Sequence, residues 1–204
     1  MYNGMVYPLF PTVVYKDKME RDFTDSEIEH TENLLTDLRE NVLNRSSENS
    51  QVLRTPEYAG LKDIVMKAAE TYCYEVMRYE REMKLRITQS WLNLSLENQG
   101  HHLHHHPNSF ISGILYLKCR KGDSVEFSNT DFKTLEPGIS ERILLNSDFF
   151  PVEVEAKDIV IFPSLTPHRV QCVDVQTPRI SLAFNFFPYG VIGTDARFSE
   201  LILE

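Results

Sequence analysis

The chain has 204 residues, of which 42% are hydrophobic, and its 30 acidic and 21 basic side chains give a net charge of −9. This length and balance favour one globular domain with a sizeable core and exclude wholesale disorder and fibrous repeats. The negative charge, without any run of basic residues longer than two, argues against a nucleic-acid partner and fits a small-molecule ligand.

The sequence shows no export signal, membrane segment or disulfide framework. The N-terminus lacks a basic region followed by an apolar run, and no stretch reaches the ~18 consecutive apolar residues of a transmembrane helix. The cysteines Cys73, Cys119 and Cys172 are far apart and form no CxxC pair, so reduced thiols are expected. We therefore expect a cytoplasmic protein without a membrane partner.

A short strand and two helices are predicted for the first 85 residues. Aromatic and β-branched residues in Tyr7–Tyr15 indicate a strand interrupted by prolines. Thr24 precedes an acidic first turn and predicts a helix start, and the apolar positions from Ile28 to Val42 fall on one helical face. The polar stretch Asn44–Ser50 is predicted to be a loop, and a second helix is predicted from Pro56 to about Glu82.

From Leu85 onward the sequence is typical of β structure, because short runs of Val, Ile, Phe and Tyr alternate with Gly, Pro, Asn and Asp. The predicted strands are Gln89–Glu97, His102–His106, Phe110–Lys118, Ser124–Phe127, Val152–Val154, Asp158–Pro163, His168–Val175 and Arg179–Phe187. The segment Phe132–Phe150 is the least regular. The pattern predicts a single domain (1–204) that is mainly β with supporting helices, a double sheet over residues 86–190 and a tail over residues 191–204.

Five of the seven histidines lie between positions 101 and 106. A solvated loop would account for an isolated pair more easily than for this density. On an extended strand, His102, His104 and His106 share one face, and His101 and His105 share the other. Two imidazoles in an H-x-H pair lie roughly 6–7 Å apart at the backbone, which allows them to chelate one metal ion.

The surrounding sequence can be compared with the patterns of three known kinds of metal site. The HExxH pattern of zinc proteases is absent, and Phe110 and Ile111 stand where a cupin has its glutamate. The facial triad of non-haem iron oxygenases needs a distant histidine, and His168 is available. Arg179 and Ser181 share one face of a later strand and are suited to bind a carboxylate, although an edge salt bridge would also explain Arg179.

A family resemblance emerges from the order of these motifs. H-x-H-P ends at Pro107, S-G-x-x-Y spans Ser112 to Tyr116, F-P-S-x-x-P-H ends at His168, and R-x-S begins at Arg179. This ordered set resembles the 2-oxoglutarate/Fe(II)-dependent dioxygenase superfamily, in its bacterial and phage branch. The resemblance covers most of the chain.

The resemblance implies a double-stranded β-helix, or jelly-roll, core. It also implies Fe(II) bound by His104 and His168, and 2-oxoglutarate whose distal carboxylate is bound by Arg179 and Ser181, with Tyr116 as a further donor. The implied reaction uses O2, converts 2-oxoglutarate to succinate, and hydroxylates a substrate such as a peptidyl residue or a small metabolite.

The sequence departs from the superfamily at His106, where most members have a carboxylate. Either His106 is the third metal ligand, or another residue takes that role. His101, His102 and His105 are interpreted as groups around the ligands. Two other interpretations stay open: a three-histidine jelly-roll dioxygenase that does not use 2-oxoglutarate, with Arg179 binding the substrate's carboxylate, and a non-catalytic binding module.

Overall fold

The computed structural model describes residues 4–129, 137–172 and 176–204, which form two β-sheets and a helical layer. The helices are α1 (Asp25–Leu34) and α2 (Ala59–Glu70), and α2 continues into a π-helical segment, Thr71–Val76. The strands are β1 (Tyr15–Lys18), β2 (Leu38–Glu40), β3 (Arg45–Ser47), β4 (Met83–Ser95), β5 (His101–His104), β6 (Ile111–Lys118), β7 (Ser124–Ser128), β8 (Phe149–Glu153), β9 (Asp158–Pro163), β10 (His168–Val170), β11 (Arg179–Ile192) and β12 (Leu201–Leu203). In these ranges no helix is long and apolar enough to cross a membrane.

The two sheets are antiparallel and face each other. The larger sheet has the order β1-β9-β6-β11-β4-β3-β2, with β12 paired to the end of β11, and the smaller sheet has the order β5-β10-β7-β8. The long strand β11 lies between β4 and β6 and is the centre of the larger sheet. The predicted mainly β fold with two supporting helices is confirmed.

The larger sheet has a different environment on each face, because side chains alternate along its strands. On β11, Leu182, Phe184 and Phe186 point to the helical layer and are fully buried there with α2 residues such as Leu61. The opposite face of the sheet carries Tyr116 and other apolar residues that pack between the two sheets. This second, smaller core borders the polar residues of the candidate site.

Helix α1 begins where the sequence predicted but ends earlier. The Thr24 hydroxyl accepts the Glu27 amide at 3.2 Å, and the Glu27 carboxylate accepts the Thr24 amide at 2.9 Å, which completes a capping box. The predicted extension to Val42 is wrong, because Leu38 already belongs to β2. Asn41 ends that strand, since its side chain accepts the Val42 amide and its amide donates to the Asn44 carbonyl.

The prediction of a loop at Asn44–Ser50 is wrong, because this segment contains strand β3. Ser46 and Ser47 are buried, and both hydroxyls are satisfied. Ser46 Oγ donates to Asn93 Oδ1 at 2.9 Å, and Ser47 Oγ accepts the Leu92 amide at 3.0 Å. Serines that are buried with partners look the same in a sequence as serines in a solvated loop.

The predicted N-terminal strand Tyr7–Tyr15 is also wrong, because the strand begins only at Tyr15. Pro8 and Pro11 remove backbone donors that a paired strand would need. At the other end of the chain, β11 extends to Ile192 and β12 lies in the predicted tail. The prediction for Asp158–Pro163 is confirmed, while residues 173–175 of the predicted strand His168–Val175, and residues 132–136 of the irregular segment, lie outside the described residues.

Gly113 on β6 allows a close approach between the sheet and its core, and its replacement should be costly. A Cβ atom at this position would overlap the ring of Phe184 and lie 2.6 Å from Ile161 Cδ1. We expect Gly113→Ala to lower the free energy of unfolding by about 1–3 kcal/mol, as overpacking does in other cores. Urea denaturation measures the change. Gly138→Ala is the control because no atom of the described residues lies within 4 Å of its added Cβ, and equal effects of the two variants would contradict the prediction.

Candidate active site

Three histidines meet at the edge of the smaller sheet. His104 on β5 lies directly opposite His168 on β10 in the antiparallel ladder. His106 lies just beyond the end of β5, where its backbone amide donates to the Ser164 carbonyl at 2.9 Å. Two strands and one turn therefore bring together the three histidines that the sequence predicted.

The distances between these imidazoles suit a shared metal ion. One ring nitrogen from each of His104, His106 and His168 lies within 4.8 Å of the others, and the Nε2 atoms of His106 and His168 are 3.4 Å apart. Two imidazoles that bind one ion at ~2.1 Å would have nitrogens about 3.0–3.4 Å apart. The donor set therefore fits a divalent transition metal, for which imidazole is a preferred ligand.

Backbone carbonyls fix the orientation of two of the rings. His104 Nδ1 lies 2.8 Å from the His102 carbonyl oxygen, and His168 Nδ1 lies 3.0 Å from the Thr166 carbonyl oxygen. A carbonyl oxygen only accepts hydrogen bonds, so Nδ1 must be the protonated nitrogen in both rings. The lone pair of each neutral ring is then on Nε2, which faces the other histidines.

The three imidazoles are uncharged at neutral pH. Burial, reinforced by the neighbouring histidines, lowers the pKa of His106 and of His168 to about 3, and burial lowers the pKa of His104 as well. Metal ions bind the neutral form of imidazole, so no proton has to be displaced at pH 7.

The other three histidines of the cluster differ in how far they are exposed to solvent. His105 is exposed, whereas His101 and His102 are half-buried beside the histidine triple. The predicted strand alternation is wrong for His101, whose ring stacks on His104 with centroids 4.1 Å apart. The cause is a register shift between β5 and β10, which interrupts the regular alternation of side chains.

Gly100 makes this local geometry possible. A Cβ atom on Gly100 would overlap the Val170 carbonyl oxygen and lie 2.8 Å from the carbonyl carbon of Gln171. Only glycine allows the backbone to pass so close to β10 before the histidines begin.

Arg179 is buried on the inner face of β11 with part of its guanidinium unsatisfied. Its side chain is 3% exposed, and its Nε atom lies 3.0 Å from the Asp123 carboxylate, whose side chain is 4% exposed. Nε and Nη2 are both buried without a hydrogen bond to a described residue, so the contact with Asp123 is a close ion pair. A buried, unpaired donor of a charged group is costly, so a ligand with an anionic oxygen fits here.

Ser181 and Tyr116 lie beside Arg179, as the resemblance implies. Ser181 is opposite Tyr116 on β6, and the Arg179 guanidinium lies 5.1 Å from the centre of the Tyr116 ring. The Tyr116 hydroxyl is buried without a partner, and burial raises its pKa, so the phenol keeps its proton. Arg179 and Tyr116 therefore hold neighbouring buried donors that lack a hydrogen-bond partner among the described residues.

Asp123 and Arg120, which lie near Arg179, are not indicated by any sequence pattern. Asp123 is an isolated acid in a turn, and its partner Arg179 is far away in the chain. Arg120 is 4% exposed and donates to the carbonyl oxygens of Ser95 and Leu96, both at 2.7 Å. It thereby fixes the end of β4 in the segment that leads to the histidines.

Comparison with known proteins agrees with this geometry. Residues 89–185 match the model of a putative 2OG-Fe(II) oxygenase family, and this range contains every predicted site residue. The β-helix core belongs to the 2OG-Fe(II) oxygenase superfamily. No curated protein matches the chain in sequence.

Several solved structures share the fold of this oxygenase. HygX from Streptomyces hygroscopicus, solved with nickel, 2-oxoglutarate and hygromycin B, is 15% identical with a TM-score of 0.54, over 86% of this chain and 82% of HygX. A Pseudomonas putida prolyl-4-hydroxylase is 14% identical with a TM-score of 0.54, over 86% and 92% of the two chains. The epimerase SnoN, solved with Fe3+, alpha ketoglutarate and nogalamycin RO, is 13% identical with a TM-score of 0.60, over 93% and 86% of the chains.

At these identities the solved structures establish the fold alone, and they confirm the predicted double-stranded β-helix. The superfamily itself confirms the prediction of an enzyme of the oxygenase class, with Fe(II) as the cofactor and 2-oxoglutarate as the co-substrate.

Proposed function

We infer that this oxygenase hydroxylates a small metabolite or a peptidyl residue, with Fe(II) bound by His104, His106 and His168 and 2-oxoglutarate bound by Arg179. The observation that carries the inference is the pair of unsatisfied buried donors, Arg179 Nη2 and Tyr116 Oη, in the same β-helix as the histidine triple. An iron site and an anion site in one β-helix are what the reaction of this superfamily needs.

The roles of the residues follow from their charges and positions. His104, His106 and His168 would hold Fe(II), which together with 2-oxoglutarate would supply oxygenation of a substrate C–H bond by O2, coupled to decarboxylation of 2-oxoglutarate to succinate and CO2. His104, His106 and His168 contribute no negative charge, so an anionic ligand is favoured in the remaining positions. Arg179 neutralises the distal carboxylate, and we assign Ser181 and Tyr116 as hydroxyl donors to its oxygens.

Asp123 keeps the arginine in place for this role. Its carboxylate approaches Nε and leaves the outer nitrogens of Arg179 for the ligand. The surrounding core excludes water, which strengthens the interaction between the guanidinium and a carboxylate.

An anaerobic titration of the protein with Fe(II) and 2-oxoglutarate tests the proposed function. We expect a visible charge-transfer band that appears only when both are present, because it requires the keto acid to bind the iron. Arg179→Gln should raise the 2-oxoglutarate concentration needed for the band by at least tenfold, as expected for loss of charged hydrogen bonds. Arg169→Gln is the control, since Arg169 pairs with Glu126 Oε2 at 2.8 Å in the smaller sheet.

The titration also distinguishes the proposed function from the two alternative functions. Iron binding without the band, together with no heat of 2-oxoglutarate binding to the Mn(II) protein, would overturn the proposed function in favour of a three-histidine dioxygenase that does not use 2-oxoglutarate. Absence of metal binding would favour a non-catalytic module.

A further inference from the structure

A cavity lies beside the histidine triple, and the residues proposed to bind 2-oxoglutarate are not among those that line it. Its volume is about 460 Å3, within the ~300–1,000 Å3 range of small-molecule sites. Arg179, Ser181 and Tyr116 do not line it. The side chains that line the cavity include those of His104, His106, Trp91, Arg39, Glu40 and Asn41.

The β2–β3 hairpin forms one wall of this cavity and carries Arg39, an arginine that lines the cavity and is exposed to solvent. Arg39 lies opposite Ser46, Ser46 lies opposite Asn93, and Asn93 lies opposite Ser181. Residues that are directly opposite in antiparallel strands share a face, so Arg39 belongs to the same inner row as Ser181. At ~4.8 Å per strand, three strand spacings place their backbones about 15 Å apart.

Two side chains of opposite charge line the cavity, Arg39 and Glu40, and of these Arg39 is the one without an ion-pair partner among the described residues. No carboxylate among the described residues pairs with it, whereas the neighbouring Glu40 accepts a hydrogen bond from Arg45 Nε at 2.9 Å. In a chain with a net charge of −9, this cavity therefore offers an unpaired positive group to a ligand.

Trp91 provides an apolar surface between this charge and the metal ligands. It is half-buried, and its ring centroid lies 5.6 Å from that of His106. A planar ring of a ligand would stack on the indole while remaining next to the histidine triple. Asn41 also lines the cavity, with its Nδ2 atom 3.5 Å from His101 Nε2.

We propose that the cavity binds a small ring-containing carboxylic acid, with its carboxylate on Arg39 and its ring on Trp91. That this ligand is the substrate rests on the proposed function, whereas its binding does not. Arg39 and Arg179 would then hold two different carboxylates on opposite sides of the metal site, one from the substrate and one from the co-substrate.

The single tryptophan of the chain makes the proposal directly testable, because nitroaromatic compounds quench indole fluorescence on contact. The metal-free protein is titrated with 4-nitrobenzoate, 4-nitrobenzyl alcohol and 4-nitrobenzylamine. We expect saturable quenching by 4-nitrobenzoate, at least tenfold weaker binding of the neutral and cationic probes, and a similar loss in Arg39→Gln, since hydrogen bonds to charged groups contribute about 1.5–3 kcal/mol. Arg197→Gln, an exposed arginine outside the cavity, should bind the probe like the wild type.

Equal binding of the three probes, or unchanged binding of 4-nitrobenzoate by Arg39→Gln, would overturn the proposal. Loss of binding in Arg179→Gln together with its retention in Arg39→Gln would also overturn it, because the acid would then occupy the co-substrate pocket. Since no metal is present in this titration, a failure of the iron and 2-oxoglutarate experiment leaves its result unaffected.

Discussion

Replacing His168 with alanine is expected to weaken Fe(II) or Mn(II) binding by more than about 100-fold, because loss even of a group that only orients a ligand costs 10–100-fold. His168 is 3% exposed, and its Nε2 atom faces that of His106 at 3.4 Å. Without it, the two remaining histidines of the triple cannot enclose an ion from both strands. Calorimetric titration with Mn(II) under anaerobic conditions measures the affinity and the stoichiometry.

His105→Ala is the matched control for this experiment. His105 lies between two of the proposed ligands in the sequence but is exposed and outside the triple. Its replacement should leave one Mn(II) site of unchanged affinity. Wild-type affinity in His168→Ala, or equal losses in both variants, would show that the ligand set is a different group of histidines from the one proposed.

Asp123→Ala is expected to lower the free energy of unfolding by about 3–5 kcal/mol, the usual cost of leaving one member of a buried ion pair without its partner. The side chains of Asp123 and Arg179 are 4% and 3% exposed, so water cannot replace the lost carboxylate. Urea denaturation of the metal-free protein measures the loss.

Two further variants show whether the loss of stability comes from leaving a buried charge unpaired or from mutation in general. The double variant Asp123→Ala with Arg179→Met removes both charges and should recover much of the stability. Glu40→Ala breaks the exposed pair with Arg45 and should cost at most about 1 kcal/mol. A change of less than about 1 kcal/mol in Asp123→Ala would mean that Arg179 is solvated or has another partner.

The sequence predicts best those parts of the fold in which apolar periodicity and burial coincide. Asp158–Pro163 is a run of apolar residues buried between neighbouring strands, and its bounds are predicted without error. The histidine triple is predictable because its spacing and the distant His168 carry chemical information that does not depend on the exact register.

The remaining features depend on contacts between residues that are distant in the chain. The strand β3 is polar in sequence, and its serines are buried only because Asn93 and the backbone of β4 satisfy them. Arg39 falls within the predicted first helix, so its place on the inner face of the larger sheet could not be predicted. The position of His101 depends on a register shift, which no local pattern specifies.

The arrangement of the histidines also bears on how the chain holds its shape. His106 and His168 are 62 positions apart, and the chain between them includes strands of both sheets. An ion shared by them would close that long loop and cross-link β10 to the end of β5, an outer strand with only one neighbour in its sheet. Iron would then stabilise the β-helix as well as form the reactive centre. Removal of the iron would destabilise β5, the strand that carries His104.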